Sequence, residues 1–331
     1  MTYKRETPPL ALRVAMGVGA GMVKPVVWGL EKTGLTRHCI ELFTKGAPER
    51  LKAKNPFRGY TPTAHDVFIA TYVKSGTNWM MQIAHQLAHH GNADFDHIHC
   101  VVPWPDVGAM SPMMSKYAIP LDDPSVWQAS PERKRVIKTH FNWELLPYSK
   151  DARYIMVIRD PKDVFVSSYF FFVKNSSIGD MGLSVETWFK LFLSDKFPLW
   201  GSWAANAAGY WAQRHRPNVL VAPFKTMKRD LNGTVRKVAG LLDMHVTDDV
   251  IERVTEKSSF DYMKQIDEKF KMWNMVPWIE PGPMIRKGKQ GGSSELLSLE
   301  QQRQVDEYFI AELKRLGSDF PYDEFCDAAS Q

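Results

Sequence analysis

The 331-residue chain is poor in cysteine. It has three, Cys39, Cys100 and Cys326, at wide spacing and without a C-x-x-C pair. That odd count excludes a disulfide framework and a zinc ribbon, and it suits a reducing cytoplasm. Long uncharged apolar runs are also missing. The nearest candidate, Leu10 to Leu30, is interrupted by Arg13, Lys24 and Pro25, so neither a transmembrane span nor a secretory signal is expected. Nor does one sign of charge dominate: 42 Lys and Arg against 37 Asp and Glu leave +5. Such an excess is too small for a surface that coats nucleic acid, and it suits an anionic ligand held in one place. No internal repeat, low-complexity tract or linker divides the chain.

What is present is an ordinary globular composition, 44% hydrophobic and 24% charged. Residues 1–60, with Ala15, Gly17, Gly19, Gly21, Val26 and Val27, read as an N-terminal helical extension packed on the core. A peripheral membrane contact through residues 9–35 is the second reading of that segment. From residue 61 onward, short apolar runs alternate with helical stretches. Val67–Val73, Arg135–Lys138, Tyr154–Ile158 and Val219–Ala222 have the character of buried strands, and a helical stretch runs from Thr77 to about His90. This alternation predicts one α/β domain, residues 61–331, with a parallel sheet covered on both faces. Asp160 is placed to cap a helix that Pro161 opens.

The first strand runs into Lys74-Ser75-Gly76-Thr77-Asn78-Trp79 and then a helix. A glycine turn, the outward N–H groups of a helix start and a lysine together make an anion site. The P-loop signature G-x-x-x-x-G-K-[ST] is absent, because the lysine precedes the only glycine. Lys138-Thr139-His140 ends a second strand, Arg159 follows a third, Ser167 lies eight residues beyond it, and Arg286-Lys287-Gly288 sits in a late loop. Open parallel sheets bind ligands at such strand ends. The joint pattern calls for a ligand with several separated anionic groups. Five histidines, His85, His89, His90, His97 and His99, lie close together, but they lack a nearby Glu or Cys in ligand spacing, and no metal is expected.

These residues resemble the motifs of the cytosolic sulfotransferases. Thr71 through Trp79 is similar to T-Y-P-K-S-G-T-T-W, and Lys138-Thr139-His140 to K-T-H. Arg159-Asp160-Pro161-Lys162-Asp163 with Ser167 is similar to R-x-x-K-D-x-x-x-S, and Arg286-Lys287-Gly288 to R-K-G. The resemblance implies a five-stranded parallel sheet and 3′-phosphoadenosine 5′-phosphosulfate (PAPS) as sulfuryl donor. It assigns Lys74, Ser75, Gly76, Thr77, Asn78 and Trp79 to the 5′-phosphosulfate side, with Trp79 stacking on adenine. Arg159, Ser167, Arg286, Lys287 and Gly288 are assigned to the 3′-phosphate. Ser258-Ser259-Phe260 is similar to T-S-F, whose Phe covers the other adenine face. Phe224 replaces a family tyrosine, and Gly292-Ser293-Ser294 replaces an Asp-Trp-Lys.

Sulfuryl transfer, like phosphoryl transfer, needs in-line positioning and charge stabilisation. A neutral imidazole suits removal of the acceptor proton near neutral pH, which makes His140 the candidate base. Lys138 and Lys74 then meet charge on the departing nucleotide. Trp104, Phe141, Phe171 and Phe172 are the acceptor-pocket candidates, with Met110, Met113 and Met114 as an adaptable lid; Phe171 falls on a family pocket position. The expected acceptor is a small, lipid-like or aromatic alcohol. A nucleotide kinase and a non-catalytic adenosine-bisphosphate-binding module are the alternatives, and oligomeric state stays open.

Overall fold

The structure, a computed structural model, describes residues 8–110, 118–194, 201–286 and 291–327. Four strands pair in parallel: β1 (Asp66–Thr71), β2 (Arg135–Thr139), β3 (Arg153–Ile158) and β4 (Val219–Pro223), in the order β2-β1-β3-β4. All four coincide with the apolar runs of the sequence. The five strands implied by the family resemblance reduce to four among the described residues.

The strands are apolar on both faces because both faces are covered. Phe68, Ala70, Ile137, Tyr154 and Met156 point to one side, under the helices Pro161–Ser168, Val185–Phe192, Trp203–Trp211 and Leu299–Arg315. Val67, Ile69, Val136, Ile155 and Val157 point to the other, under Thr77–Ala88, Leu231–Leu241 and Asp248–Lys257. The period of two along each strand thus feeds two apolar cores. β1 ends at Thr71, two residues earlier than its apolar run. Lys74 takes φ +63° and Gly76 φ +97°, and Ser75 N–H donates to the Tyr72 carbonyl at 3.2 Å, which turns the chain. β1 has β2 on one side and β3 on the other, so its carboxyl end is the topological switch point of the sheet.

The opposite end of β1 is closed by a buried ion pair. Arg135 Nη2 lies 2.7 Å from Asp66 Oδ1, and Asp66 Oδ2 accepts from Tyr60 Oη at 2.7 Å and from Thr63 N at 2.8 Å. Both charges are almost wholly excluded from water, at 6% and 0% exposure.

The extension before the sheet forms the helices Leu10–Thr33, Thr36–Thr44 and Ala47–Ala53. Pro25 does not interrupt the first of them. The loss of one N–H donor is tolerated there. The helix is long and apolar enough, by length and composition, to cross a membrane.

Replacing Asp66 with Asn leaves Arg135 buried without its counter-charge. Urea denaturation is expected to show a loss of about 3–5 kcal/mol. Nucleotide affinity should be unchanged, because this pair sits at the end of the sheet remote from Lys74.

Candidate active site

At the carboxyl end of the sheet, strand register gathers the basic motifs. Ala70 pairs with Thr139 on one side and with Met156 on the other. Lys138 and His140 therefore flank the Lys74 loop from β2, and Arg159 flanks it from β3. These residues line one cavity of about 630 Å³, together with Gly76, Thr77, Asn78, Trp79, Trp104, Ser167, Phe171, Phe172, Phe224, Phe260 and Arg286.

Gly76 is required at its position. Besides the positive φ, a Cβ there would fall 2.8 Å from the Phe224 ring. The helix Thr77–Ala88 starts immediately after it. By helix geometry the N–H groups of Thr77, Asn78 and Trp79 have no carbonyl one turn back, and they carry the positive end of the dipole. Thr71 Oγ1 and Thr77 Oγ1 lie 2.6 Å apart and tie the strand end to the helix start.

Four cations converge, each resting on a ring. Lys74 Nζ is 3.8 Å from the Phe171 centroid and Lys138 Nζ 3.4 Å from that of Trp104. Arg159 stands 4.6 Å above Phe224, and Arg286 4.2 Å above Phe170. Burial pushes the Lys74 ammonium down to about 7, helped by Arg159 and Arg286 and opposed by Asp267. Burial also brings Lys138 to about 7, with Lys74 adding to the effect and Asp106 opposing it. Arg159 is lowered chiefly by desolvation; its Nη1 donates to the Lys74 carbonyl at 3.0 Å.

His140 is buried at 7% exposure. Its Nδ1 lies 3.0 Å from the Thr71 carbonyl. A carbonyl only accepts, so the proton sits on Nδ1 and the lone pair on Nε2. Burial first, then the charge of Lys138, pushes the imidazole down to about 3. The ring is thus neutral, further below its ordinary range than the sequence implies. Asp106, wholly buried, accepts from Thr139 Oγ1 at 3.0 Å and from the His140 backbone N–H. That carboxylate fixes the chain at His140.

Trp79 is oriented by its indole N–H, which donates to the Ser258 carbonyl at 2.7 Å, and it meets Phe224 edge-on at 5.6 Å. The segment leading to Arg286 is held by Asp267, which accepts from Ile285 N at 2.7 Å and Met284 N at 3.3 Å. Arg286 Nη1 donates to both carboxylate oxygens of Glu295 at 2.8 Å.

The structure moves several sequence candidates. Phe141 does not line the cavity. It packs in the core against Phe57, because alternation along the chain turns it away from the side His140 faces. Ser75 and Ser258 are buried beneath the cavity wall. Lys287, Gly288, Met113 and Met114 lie outside the described residues. Met263, Met272 and Met284 line the cavity instead; they come from three late segments with no periodic signature. Asp106 and Glu295 were also missed, being acidic residues in a site read for its cations, and Asp163 entered only as part of a motif, without a role. Among the described residues no group of three or more His, Cys, Asp or Glu is arranged to hold a metal ion.

The fit to a doubly phosphorylated nucleotide rests on orphaned polar atoms. Ser75 Oγ, Ser258 Oγ and Arg159 Nε are buried without a hydrogen-bond partner. Groups of this kind are nearly always satisfied by something; Arg159 lines the cavity, and each serine adjoins a residue that does, Ser75 between Lys74 and Gly76 and Ser258 before Ser259.

A parallel α/β sheet with such an anion cradle at its switch point defines a nucleotide-binding architecture. The family model described as the sulfotransferase domain matches residues 64–317. Rabbit (Oryctolagus cuniculus) sulfotransferase 1C2 is 27% identical over 268 residues, covering 77% of this chain and 85% of that protein. Mouse sulfotransferase 2A6 is 29% identical over 251 residues, covering 74% and 82%. Among solved structures, retinol dehydratase in complex with androsterone and PAP superposes with a TM-score of 0.67 at 19% identity, covering 83% of this chain and 88% of that one. Mouse sulfotransferase SULT7A1 complexed with PAP gives 0.60 at 21%, covering 80% and 90%. The structural likenesses establish the fold. The chain belongs to the sulfotransferase family, and it is a PAPS-dependent enzyme of the cytosolic type.

The lowered lysines carry a linkage. A bound polyanion raises the pKa of Lys74 and Lys138 from about 7, so binding above pH 7 takes up protons. Affinity for adenosine 3′,5′-bisphosphate should fall between pH 7 and 9, by up to about tenfold per pH unit for each proton taken up. Calorimetry at pH 8 in two buffers of different ionisation enthalpy reads that uptake, and Lys138→Met should reduce it. A flat affinity across this range contradicts the assignment.

Proposed function

We propose that the chain transfers the sulfuryl group of PAPS to a hydroxyl of a small lipophilic acceptor by in-line displacement, with His140 as general base. The observation that carries this reading is the hydrogen bond from His140 Nδ1 to the Thr71 carbonyl, in a cavity shared with Lys74 and Lys138. It leaves the Nε2 lone pair to take the proton, on a residue that lines the cavity together with two lysines. The acceptor oxygen attacks sulfur as Nε2 takes its proton. The bond between sulfur and the bridging oxygen breaks, and that oxygen keeps the electron pair as part of the 5′-phosphate. Lys74, Lys138 and the 77–79 amides lie where that charge grows.

In this reading Trp79 and Phe260 enclose adenine, and Arg159, Ser167 and Arg286 hold the 3′-phosphate bidentately or by single bonds. Arg286 exchanges Glu295 for that phosphate. Lys287 and Gly288 keep the roles implied by the family motif. Phe224 gives the base an apolar edge without the family hydroxyl.

The acceptor end is walled by Trp104, Val107, Val166, Phe171, Phe172 and Met272. This lining favours a lipid-like or aromatic alcohol over a polyanionic glycan, which needs a basic groove. The androsterone and retinol complexes of retinol dehydratase are acceptor-sized precedents on the same fold. A peripheral membrane contact through residues 9–35 belongs to the same reading, since such alcohols reside in bilayers. A kinase is disfavoured by the missing Walker glycines, and activity persisting in EDTA separates the two; a non-catalytic binding module has no use for His140.

His140→Ala is expected to lower kcat by about 10²–10⁴-fold while leaving adenosine 3′,5′-bisphosphate affinity nearly intact. Retention of more than about a tenth of wild-type turnover removes the base role. Because the free imidazole is held near 3, kcat/KM should show no acid limb near pH 6.5. A screen in which only polyanionic glycans gain sulfate rejects the acceptor class.

A further inference from the structure

The helix Leu10–Thr33 inverts the usual placement of charge on a surface helix. Its outward residues Leu10, Leu12, Val14, Val18, Met22, Val26 and Trp28 are 39–65% exposed. Two of its three cations are engaged by the domain: Arg13 donates to Asn274 Oδ1 at 2.9 Å, and Lys24 pairs with Asp180 at 2.9 Å; the third, Lys32, lies in the last turn. Soluble helices do the reverse. Of the sixteen large apolar side chains exposed among the described residues, ten lie between residues 10 and 43, Leu35, Leu42 and Phe43 among them. We propose that this face docks in the plane of a lipid bilayer carrying anionic headgroups.

Three observations select that occupant. The first is charge. Residues 32–58 carry seven Lys and Arg against two Glu; Lys32, Lys45, Lys52 and Lys54 are exposed, and Lys32 stands over the Trp28 ring at 5.5 Å. Basic flanks and a terminal tryptophan are the anchors of interfacial helices.

The second is geometry. The Arg13 and Lys24 contacts, with the Trp278 ring covering Gly17 between them, clamp the helix lengthwise to the domain. A span would require stripping all of them, so the helix lies flat although its length and hydropathy pass for a span.

The third is area. One helix of this length presents a strip about 36 Å by 10 Å, roughly 360 Å², below the roughly 800 Å² per partner of a stable dimer.

The inner face gives the docking a consequence. Met16 packs against the cluster of Trp104, Val107, Trp273 and Met275, and Trp104 and Val107 also line the cavity. The helix that meets lipid therefore backs the acceptor wall. This consequence rests on the lipophilic-acceptor reading, whereas the docking itself does not.

Flotation of the full chain with vesicles of equal parts phosphatidylcholine and phosphatidylserine tests it. The protein should float with these vesicles, and less with phosphatidylcholine alone. The triple variant Val18→Glu, Met22→Glu, Val26→Glu should reduce the floated fraction about tenfold or more. Its adenosine 3′,5′-bisphosphate affinity should be unchanged, which verifies folding. Wild-type protein that stays in the aqueous fraction with both vesicles overturns the proposal. So does a variant that floats as well as wild type, or one whose sole effect is to split a dimer in sedimentation. Loss of sulfuryl transfer with flotation intact counts against the functional reading and not against the docking.

Discussion

Everything at this site follows from placing several cations at the dry carboxyl edge of a parallel sheet. Desolvation penalises each charge, and mutual repulsion adds to it, which is why Lys74 and Lys138 come down to about 7. At the other end of the same sheet the equivalent problem is solved internally, by Arg135 against Asp66. At the carboxyl end Asp106 and Asp163 offset only part of the charge, and Asp106 faces the Thr139 hydroxyl and the His140 amide rather than a lysine. The fold therefore closes one end and leaves the other to be completed by a polyanion. That difference between two ends of one sheet is the physical basis for reading the cavity as a nucleotide site.

The aromatic rings share the cost of holding those cations. Phe171, Trp104, Phe224 and Phe170 each lie under one positive group, and such contacts contribute on the order of 0.5–2 kcal/mol apiece. Phe171 and Trp104 also line the part of the cavity that the proposed function gives to the acceptor. In that reading an acceptor that displaces either ring alters the support of the lysine resting on it, and acceptor fit is coupled to charge stabilisation through two side chains.

The strands were legible because continuous apolar runs have few other uses in a chain of this composition. The Lys74 loop, Lys138, His140 and Arg159 were legible because strand ends in parallel sheets are where ligands bind. Phe141 was misplaced because adjacency in sequence was taken for adjacency in space, whereas alternation sends it to the core and His140 to the cavity. Asp106 was not readable. It reaches His140 from 34 residues upstream, and its partner is a backbone N–H that no motif records. The N-terminal segment was legible as helix, and Pro25 lowers its stability without ending it. Its outward apolar face appears only once the inward stripe is known, since composition alone does not assign sides.

The neutral His140 looks at first like a poor base. Burial lowers it, and Lys138 and Lys74 lower it further by their charge. In the proposed mechanism these are the same two lysines that the bound nucleotide neutralises, so donor binding removes part of what depresses the imidazole and adds negative charge nearby, which favours the protonated ring. On that proposal His140 gains basicity only once the sulfuryl donor is in place, and coupling through shared charges orders the reaction, donor before acceptor, without any moving part.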